Sequence, residues 1–253
     1  MKALIKFFLG IIPRPLMQRL IPIVKIPLVW FYKGNKIECP VCSKKFRKLL
    51  PYGYVTVREN ALCPNCLALE RHRLMWLFLE RKTNFFSSKL KVLHVAPEHC
   101  FIDRFEALSN LEYITADLES PLAKVKMDVH DIPFEDETFD VVFCNHVLEH
   151  VDDDVKVLKE FYRVMKKGGW AILVSPIDSK FDTTYEDSSI TEPKEREKHF
   201  GQKDHVRMYG KDYHSRLALG GFDVVVDKLA YEVSPNEKEL YALPNEDVFF
   251  CKK

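Results

Sequence analysis

From residue 90 onward the chain alternates short apolar runs with amphipathic stretches, and this rhythm restricts the fold more than any other feature. KVLHVA leads into the helix-patterned FIDRFEALSN; LEYITAD, KVKMDV and FDVVFCN follow, then DDDVKVLKEFYRVMKK and WAILVSP. Runs this apolar and this short are strands buried on both faces, which requires a mostly parallel sheet covered by helices on either side. Asp152, Asp153 and Asp154 predict the positive end of one helix, Lys166 and Lys167 its negative end, and Gly168-Gly169 its stop. Residues 177–210 break the rhythm with a polar insertion. After a helix over 211–219, GFDVVVDKL and EDVFFCKK read as the last two strands.

Ahead of this sheet stands a different kind of module. Cys39-Pro-Val-Cys42 and Cys63-Pro-Asn-Cys66 form the pattern C-x2-C-x20-C-x2-C, at which four thiolates converge tetrahedrally on one zinc ion. A closed four-sulfur shell leaves no place for water, so the expected zinc is structural. Tyr52-Gly53-Tyr54 predicts a turn and Val55-Thr56-Val57 a short strand between the two knuckles, giving a ribbon over 37–83 that ends in a linking helix. TNFFSSK, residues 83–89, reads as the linker to the sheet domain at 90–253. Seven cysteines with two Cys-x-x-Cys pairs indicate metal binding in a reducing compartment, the cytoplasm, rather than a disulfide framework. Cys100, Cys144 and Cys251 are expected as buried small hydrophobes.

A net charge of +1 hides a division. Residues 1–90 carry 17 Lys and Arg against 4 Asp and Glu, and the remainder carries 21 against 33, so the two parts meet different partners. The leader, 1–36, is apolar and basic; Lys6, Arg14, Arg19, Lys25 and Lys33 cut its apolar runs well below the roughly 18–20 residues that a spanning helix needs. Basic residues between apolar clusters, with Trp30, Phe31 and Tyr32 as interfacial anchors, suit residues 1–33 to the face of an anionic membrane. The same segment is equally suited to packing on the protein or on a second subunit. Lys44, Lys45, Arg47 and Lys48 beside the first knuckle, with Arg71, His72 and Arg73 beside the second, are candidates for phosphate contact, and so for RNA.

Open parallel sheets bind ligands outside the carboxyl ends of their central strands. Asp117 ends YITAD, where a carboxylate can take a ribose diol; Asp128 ends KVKMD, where one can take an exocyclic amine; Asn145 ends FDVVFCN. The block MDVHDIPFEDETFDVVFCNHVLEHV, followed by FYRVMKKGGWAILVSP, resembles the class I S-adenosylmethionine-dependent methyltransferases, over about residues 90–176. The resemblance implies a seven-stranded Rossmann-like methyltransferase sheet with S-adenosylmethionine as cofactor. It implies Asp117 at the ribose, Asp128 and Val129 at the adenine, and Asn145, His146 and Val147 around the methionine half.

The first strand departs from that family, which writes VLDxGCGxG where this chain has VLHVAPEHC. Pyrophosphate binding depends on such glycines; S-adenosylmethionine has no phosphate, and a carboxylate at Glu98 can meet its ammonium instead. The segment FGQKDHVRMYGKDY, 200–213, is similar to one in uncharacterised members of the family. There His205 is a candidate general base, Arg207 a grip for an anionic acceptor and Tyr209 a residue closing the insertion. Three readings follow: methyl transfer to a small molecule or envelope precursor at a membrane; methyl transfer to RNA gripped by the ribbon; and an inactive zinc-bearing scaffold.

Overall fold

The structure is a computed structural model in which residues 26–53 and 57–253 are described. Most of the leader and the proposed strand residues Val55 and Thr56 therefore lie outside the described residues. Two compact units are present, one comprising residues up to 76 together with 233–244, the other 77–232 together with 245–253. The second stretch of the first unit is not adjacent to the ribbon in sequence, and a boundary at residue 83 does not anticipate it.

In the first unit a helix, α1 (26–32), leads into strand β1 (Lys33–Cys39), which pairs antiparallel with β2 (Lys44–Phe46). Strand β3 (Leu50–Tyr52) pairs antiparallel with β4 (Arg58–Leu62). Each hairpin carries one cysteine pair at its end. Helix α2 (Glu70–Lys82) follows and runs on into the second unit. Arg73 is the hub of the first unit: its fully buried guanidinium donates to the carbonyls of Ala61 at 2.8 Å, Ala68 at 3.0 Å and Asn60 at 3.2 Å, and to those of Tyr241 at 2.8 Å and Ala242 at 2.7 Å. His72 is buried too, and its Nδ1 accepts from the Leu69 amide at 3.1 Å. Both residues build the ribbon; neither presents itself to a phosphate.

The second unit holds a seven-stranded sheet. Its members are β5 (Leu90–Val95), β6 (Leu111–Asp117), β7 (Val125–Lys126), β8 (Phe139–Asn145), β9 (Met165–Val174), β12 (Asp223–Asp227) and β13 (Val248–Lys252), in the order β12-β13-β9-β8-β5-β6-β7. Strands β5 to β9 are parallel, and β13 runs antiparallel to both β9 and β12. The chain builds outward from β5 through β6 to β7, then returns to lay β8 on the other side of β5. The carboxyl ends of β5 and β8 therefore flank the reversal point at which such sheets bind ligands.

Alternate residues of the central strands point to opposite faces. Leu93, Val95, Val142 and Cys144 pack in one core with Val157, Leu158 and Phe161 of a helix at Asp154–Val164. On the other face His94, Phe143 and Trp170 meet an aromatic cluster that includes Phe85, Phe101 and Phe105. Phe85, inside the expected linker, is fully buried, so 83–89 is part of the core and not a tether.

The helix read as running to Lys167 stops earlier. Asp153 caps it by accepting from the Lys156 amide at 2.8 Å, and Met165 already has an extended backbone. Lys166 and Lys167 belong to β9, where Lys166 pairs with Asp140 at 2.9 Å. Gly169 has a packing reason: a Cβ there would stand 2.8 Å from the carbonyl oxygens of Asp140 and Lys166. The insertion is ordered around a short ladder, β10 (Tyr185–Glu186) with β11 (Arg207–Met208), and a helix at Pro193–Phe200 whose Phe200 is buried.

Candidate active site and metal centre

The two cysteine corners are built alike. After Cys42 the backbone turns left-handed at Ser43, with φ 54°, and after Cys66 it does so at Leu67, with φ 62°. The amide of Ser43 donates to Cys39 O at 2.7 Å, and that of Leu67 to Cys63 O at 3.0 Å. These tight turns aim all four sulfurs at one point, each within 4.8 Å of the others. The Sγ atoms of Cys39 and Cys66 stand 3.7 Å apart, as do those of Cys42 and Cys63. A tetrahedral zinc with bonds of about 2.3 Å sets its sulfurs about 3.8 Å apart, so the cluster fits the ion without rearrangement.

At the reversal point, the chain leaves β5 through Ala96, whose φ of 49° lies in the left-handed region, with its amide donating to Ala116 O at 2.9 Å. An alanine there costs about 1–2 kcal/mol relative to a right-handed conformation. The turn is thus kept where a glycine would adopt it freely. Glu98 occupies the N-cap of the helix His99–Glu106 but makes no side-chain cap. Its carboxylate instead points across the sheet end: Oε2 meets His94 Nε2 at 2.5 Å, and Oε1 accepts from Asn145 Nδ2 at 2.9 Å. His94 Nδ1 lies 2.7 Å from the Tyr113 hydroxyl. Burial pushes the Tyr113 phenol well above its usual range, so it keeps its proton. A carboxylate oxygen accepts, so Nε2 carries the hydrogen and donates to Glu98 while Nδ1 takes the Tyr113 hydroxyl. His94, where the family has an acid, serves here to aim one.

Asp117 at the end of β6 accepts from the amides of Glu119 at 2.8 Å and Ser120 at 2.7 Å through Oδ1. Asp128 accepts through Oδ1 from the amide of His130 at 2.9 Å and stands 2.8 Å from its Nδ1. These bonds hold its carboxyl below the usual range, the amide first. Val129 beside it is buried. Both carboxylates are thus fixed by local turns, Asp117 at the end of β6 and Asp128 two residues past β7. Asn145 and His146 close β8, and His146 takes a left-handed φ of 56° with its amide on Val174 O at 2.7 Å. Its Nδ1 lies 3.2 Å from Oε1 of Glu149, a carboxylate only 1% exposed that also accepts from Ser175 Oγ at 3.0 Å.

The three residues expected to do chemistry from the insertion divide. Arg207, 3% exposed, donates to the carbonyls of Leu148 at 2.7 Å, Val151 at 2.5 Å and Asp152 at 2.8 Å, and to Glu186 at 3.1 Å. Its guanidinium is fully engaged in holding the loop after β8, in place of the anion grip expected of it. Tyr209 is buried, donates to Asp154 Oδ2 at 2.8 Å and packs on Tyr213, so it is core rather than a closing flap. His205 is buried beside the loop after β8, its ring 4.7 Å from that of His150. Sequence reasoning missed Glu149, His150 and the Tyr113–His94 pair; the signal available for the first two was HVLEH itself, two histidines and an acid within five residues.

Residues 91–173 match the methyltransferase domain family. Among curated proteins the chain is similar to the sterol 4-C-methyltransferase strm-1 of Caenorhabditis elegans, 32% identical over 84 residues, which are 33% of this chain and 23% of that one. It is also similar to a tRNA U34 carboxymethyltransferase of Nautilia profundicola, 38% identical over 77 residues, 30% of this chain and 24% of that one. The chain thus spans about a quarter of the length of these relatives. A SAM-dependent methyltransferase from Archaeoglobus fulgidus superimposes with a TM-score of 0.47 at 18% identity, over 71% of this chain and 93% of that one. Residues 91–173 thus form a methyltransferase domain, set on the seven-stranded sheet of the second unit.

Proposed function

We propose that the protein transfers a methyl group from S-adenosylmethionine to an acceptor held at the carboxyl ends of β8 and β9, with a structural zinc in the ribbon. The observation that carries this reading is the aimed carboxylate of Glu98. Held by His94 and Asn145 at the reversal point, it offers a fixed negative charge for the ammonium of the cofactor, where glycine-bearing relatives offer backbone. Asp117 keeps Oδ2 for the ribose hydroxyls, while Asp128 and Val129 serve the adenine. The cofactor supplies an activated methyl group; this chain's residues supply position and charge, which provide much of the acceleration in an in-line displacement.

The acceptor we favour is a small or lipid-linked molecule met at an anionic membrane. Among the described residues of the leader, Trp30 is 79% and Phe31 59% exposed, and Arg47 stacks over the Phe31 ring at 4.4 Å. Exposed aromatics beside Lys33, Lys44 and Lys45 have the composition of an interfacial patch. No helix among the described residues is long and apolar enough to cross a membrane. An RNA acceptor is the second reading, supported by the same basic surface; the tRNA-acting and sterol-acting names of the relatives support one reading each. We place the chain in a reducing, cytoplasmic compartment, the setting in which four convergent cysteine sulfurs serve a metal.

Calorimetric titration with S-adenosylhomocysteine tests the cofactor reading: we expect saturable binding at one site per chain, and absence of heat together with an unmoved melting temperature contradicts it in favour of an inactive scaffold. Flotation with phosphatidylglycerol vesicles tests the acceptor setting. The full chain should float, and Trp30→Ser with Phe31→Ser should not; salt-sensitive RNA binding without flotation favours the second reading.

A further inference from the structure

We propose that Glu149, His150 and His205 form a second metal site, for a divalent transition-metal ion, at the carboxyl ends of β8 and β9. One carboxylate oxygen and one nitrogen from each ring lie within 4.8 Å of one another. A cation about 2.1 Å from each draws such ligands to about 3.0–3.4 Å apart, a change that small ring rotations achieve. One carboxylate with two imidazoles is a donor set for zinc, iron, cobalt or manganese.

The surroundings of the three side chains point to a ligand more strongly than their proximity does. His205 is 3% exposed, its Nδ1 donates to Phe200 O at 3.0 Å, and its buried Nε2 has no hydrogen-bond partner. A bare lone pair in the interior is costly unless something positive meets it. His150 Nδ1 faces Asp204 O at 3.2 Å, and Glu149 takes Ser175 Oγ and His146 Nδ1. Each prospective ligand thus has the outer partner that fixes orientation and tautomer in metal sites. The backbone is braced as well: the Val206 amide donates to Glu149 O at 2.9 Å, and Arg207 clamps the carbonyls of Leu148, Val151 and Asp152. Arg207 is a positioning residue for this site.

Three protein ligands leave coordination positions open. Resting on the methyl-transfer reading, they give the site a use: an ion there binds an oxygen-bearing acceptor, a hydroxyl or carboxylate, beside Asn145 and His146. His146 carries a second buried, unpartnered Nε2. The site is unlike the ribbon, whose four sulfurs close the shell.

Zinc retained per chain, measured by mass spectrometry after zinc loading and dialysis of the full chain, tests the proposal directly. We expect two equivalents in the wild type and one in His150→Ala, whose partly exposed side chain can be removed without disturbing the core, with His205→Gln as the second variant. His214→Ala, an exposed histidine elsewhere in the same unit, should keep two. A wild type that retains one equivalent, or two equivalents in both His150→Ala and His205→Gln, overturns the site. Because the readout is metal content, a second equivalent in a protein that ignores S-adenosylhomocysteine sinks the methyl-transfer reading alone, and cofactor binding with one equivalent sinks this site alone.

Discussion

Two polar clusters share the loop after β8, and they are finished differently. In the first, Asp154 accepts from Tyr209 at 2.8 Å and from Arg216 at 2.8 and 3.0 Å, while Arg207 and Arg216 both reach Glu186 at 3.1 Å. In the second, Glu149, His150, His205 and His146 stand as close together, yet two ring nitrogens are buried without partners. A network whose donors and acceptors are used up is a structural device; one that leaves lone pairs bare in the interior is held open for something else. The sequence around both is equally charged, so polarity alone does not separate them. Partner accounting does.

The largest test of that contrast is removal of a member of the closed network. Asp154→Ala strands Arg207 and Arg216 without their buried counter-charge and should cost about 3–5 kcal/mol in urea unfolding at pH 7. His205→Gln removes no satisfied network and should cost about 1 kcal/mol or less, leaving the fold intact. Equal losses in the two variants would erase the distinction between the clusters.

The pH dependence sharpens it further. Burial pushes the Asp154 carboxyl up, but Arg216 first, then Arg207 and Tyr209, hold it below its ordinary range. Its contribution to stability is therefore complete above the unfolded carboxylate value of about 3.9 and lost as pH falls through the lower folded value. His205 behaves in the opposite region. Burial holds its imidazolium below the ordinary range, so the unfolded chain takes up the proton first. Stability then falls as pH drops below about 6.5 toward the folded value. In protein stripped of metal, melting temperature followed from pH 7 to 5 should decline less steeply in His205→Gln than in wild type, and Asp154→Asn should leave that window unchanged while flattening the decline below pH 4.

The sheet was legible because buried parallel strands are written as nearly unbroken apolar runs: VLHV and DVVFC fall where β5 and β8 are. The cysteine corner was legible because spacing within a knuckle is local. What failed was long-range. Arg73 meets Tyr241 and Ala242 across nearly 170 residues, so the association of 233–244 with the ribbon has no local signal. Phe85 is a core residue surrounded in sequence by Thr, Asn and Ser, which disguised it as a linker. Lys166 and Lys167 obey the charge rule for a helix end while belonging to a strand. Asp117 and Asn145 end strands, as the apolar runs before them indicate, and Asp128 lies two residues past β7. Glu149 and His150 carry no local sign of their partner, His205, more than fifty residues away, and only their hydrogen bonds separate His205, Arg207 and Tyr209.

The central claim is that an aimed carboxylate replaces a glycine loop. Affinities of the wild type and Glu98→Gln for S-adenosylhomocysteine and for its desamino analogue measure it most directly. The wild type should prefer the amine-bearing ligand by about tenfold to a hundredfold, the worth of one charge-assisted hydrogen bond, and Glu98→Gln should lose that preference while binding the desamino analogue as before. The same preference in both proteins would contradict the claim.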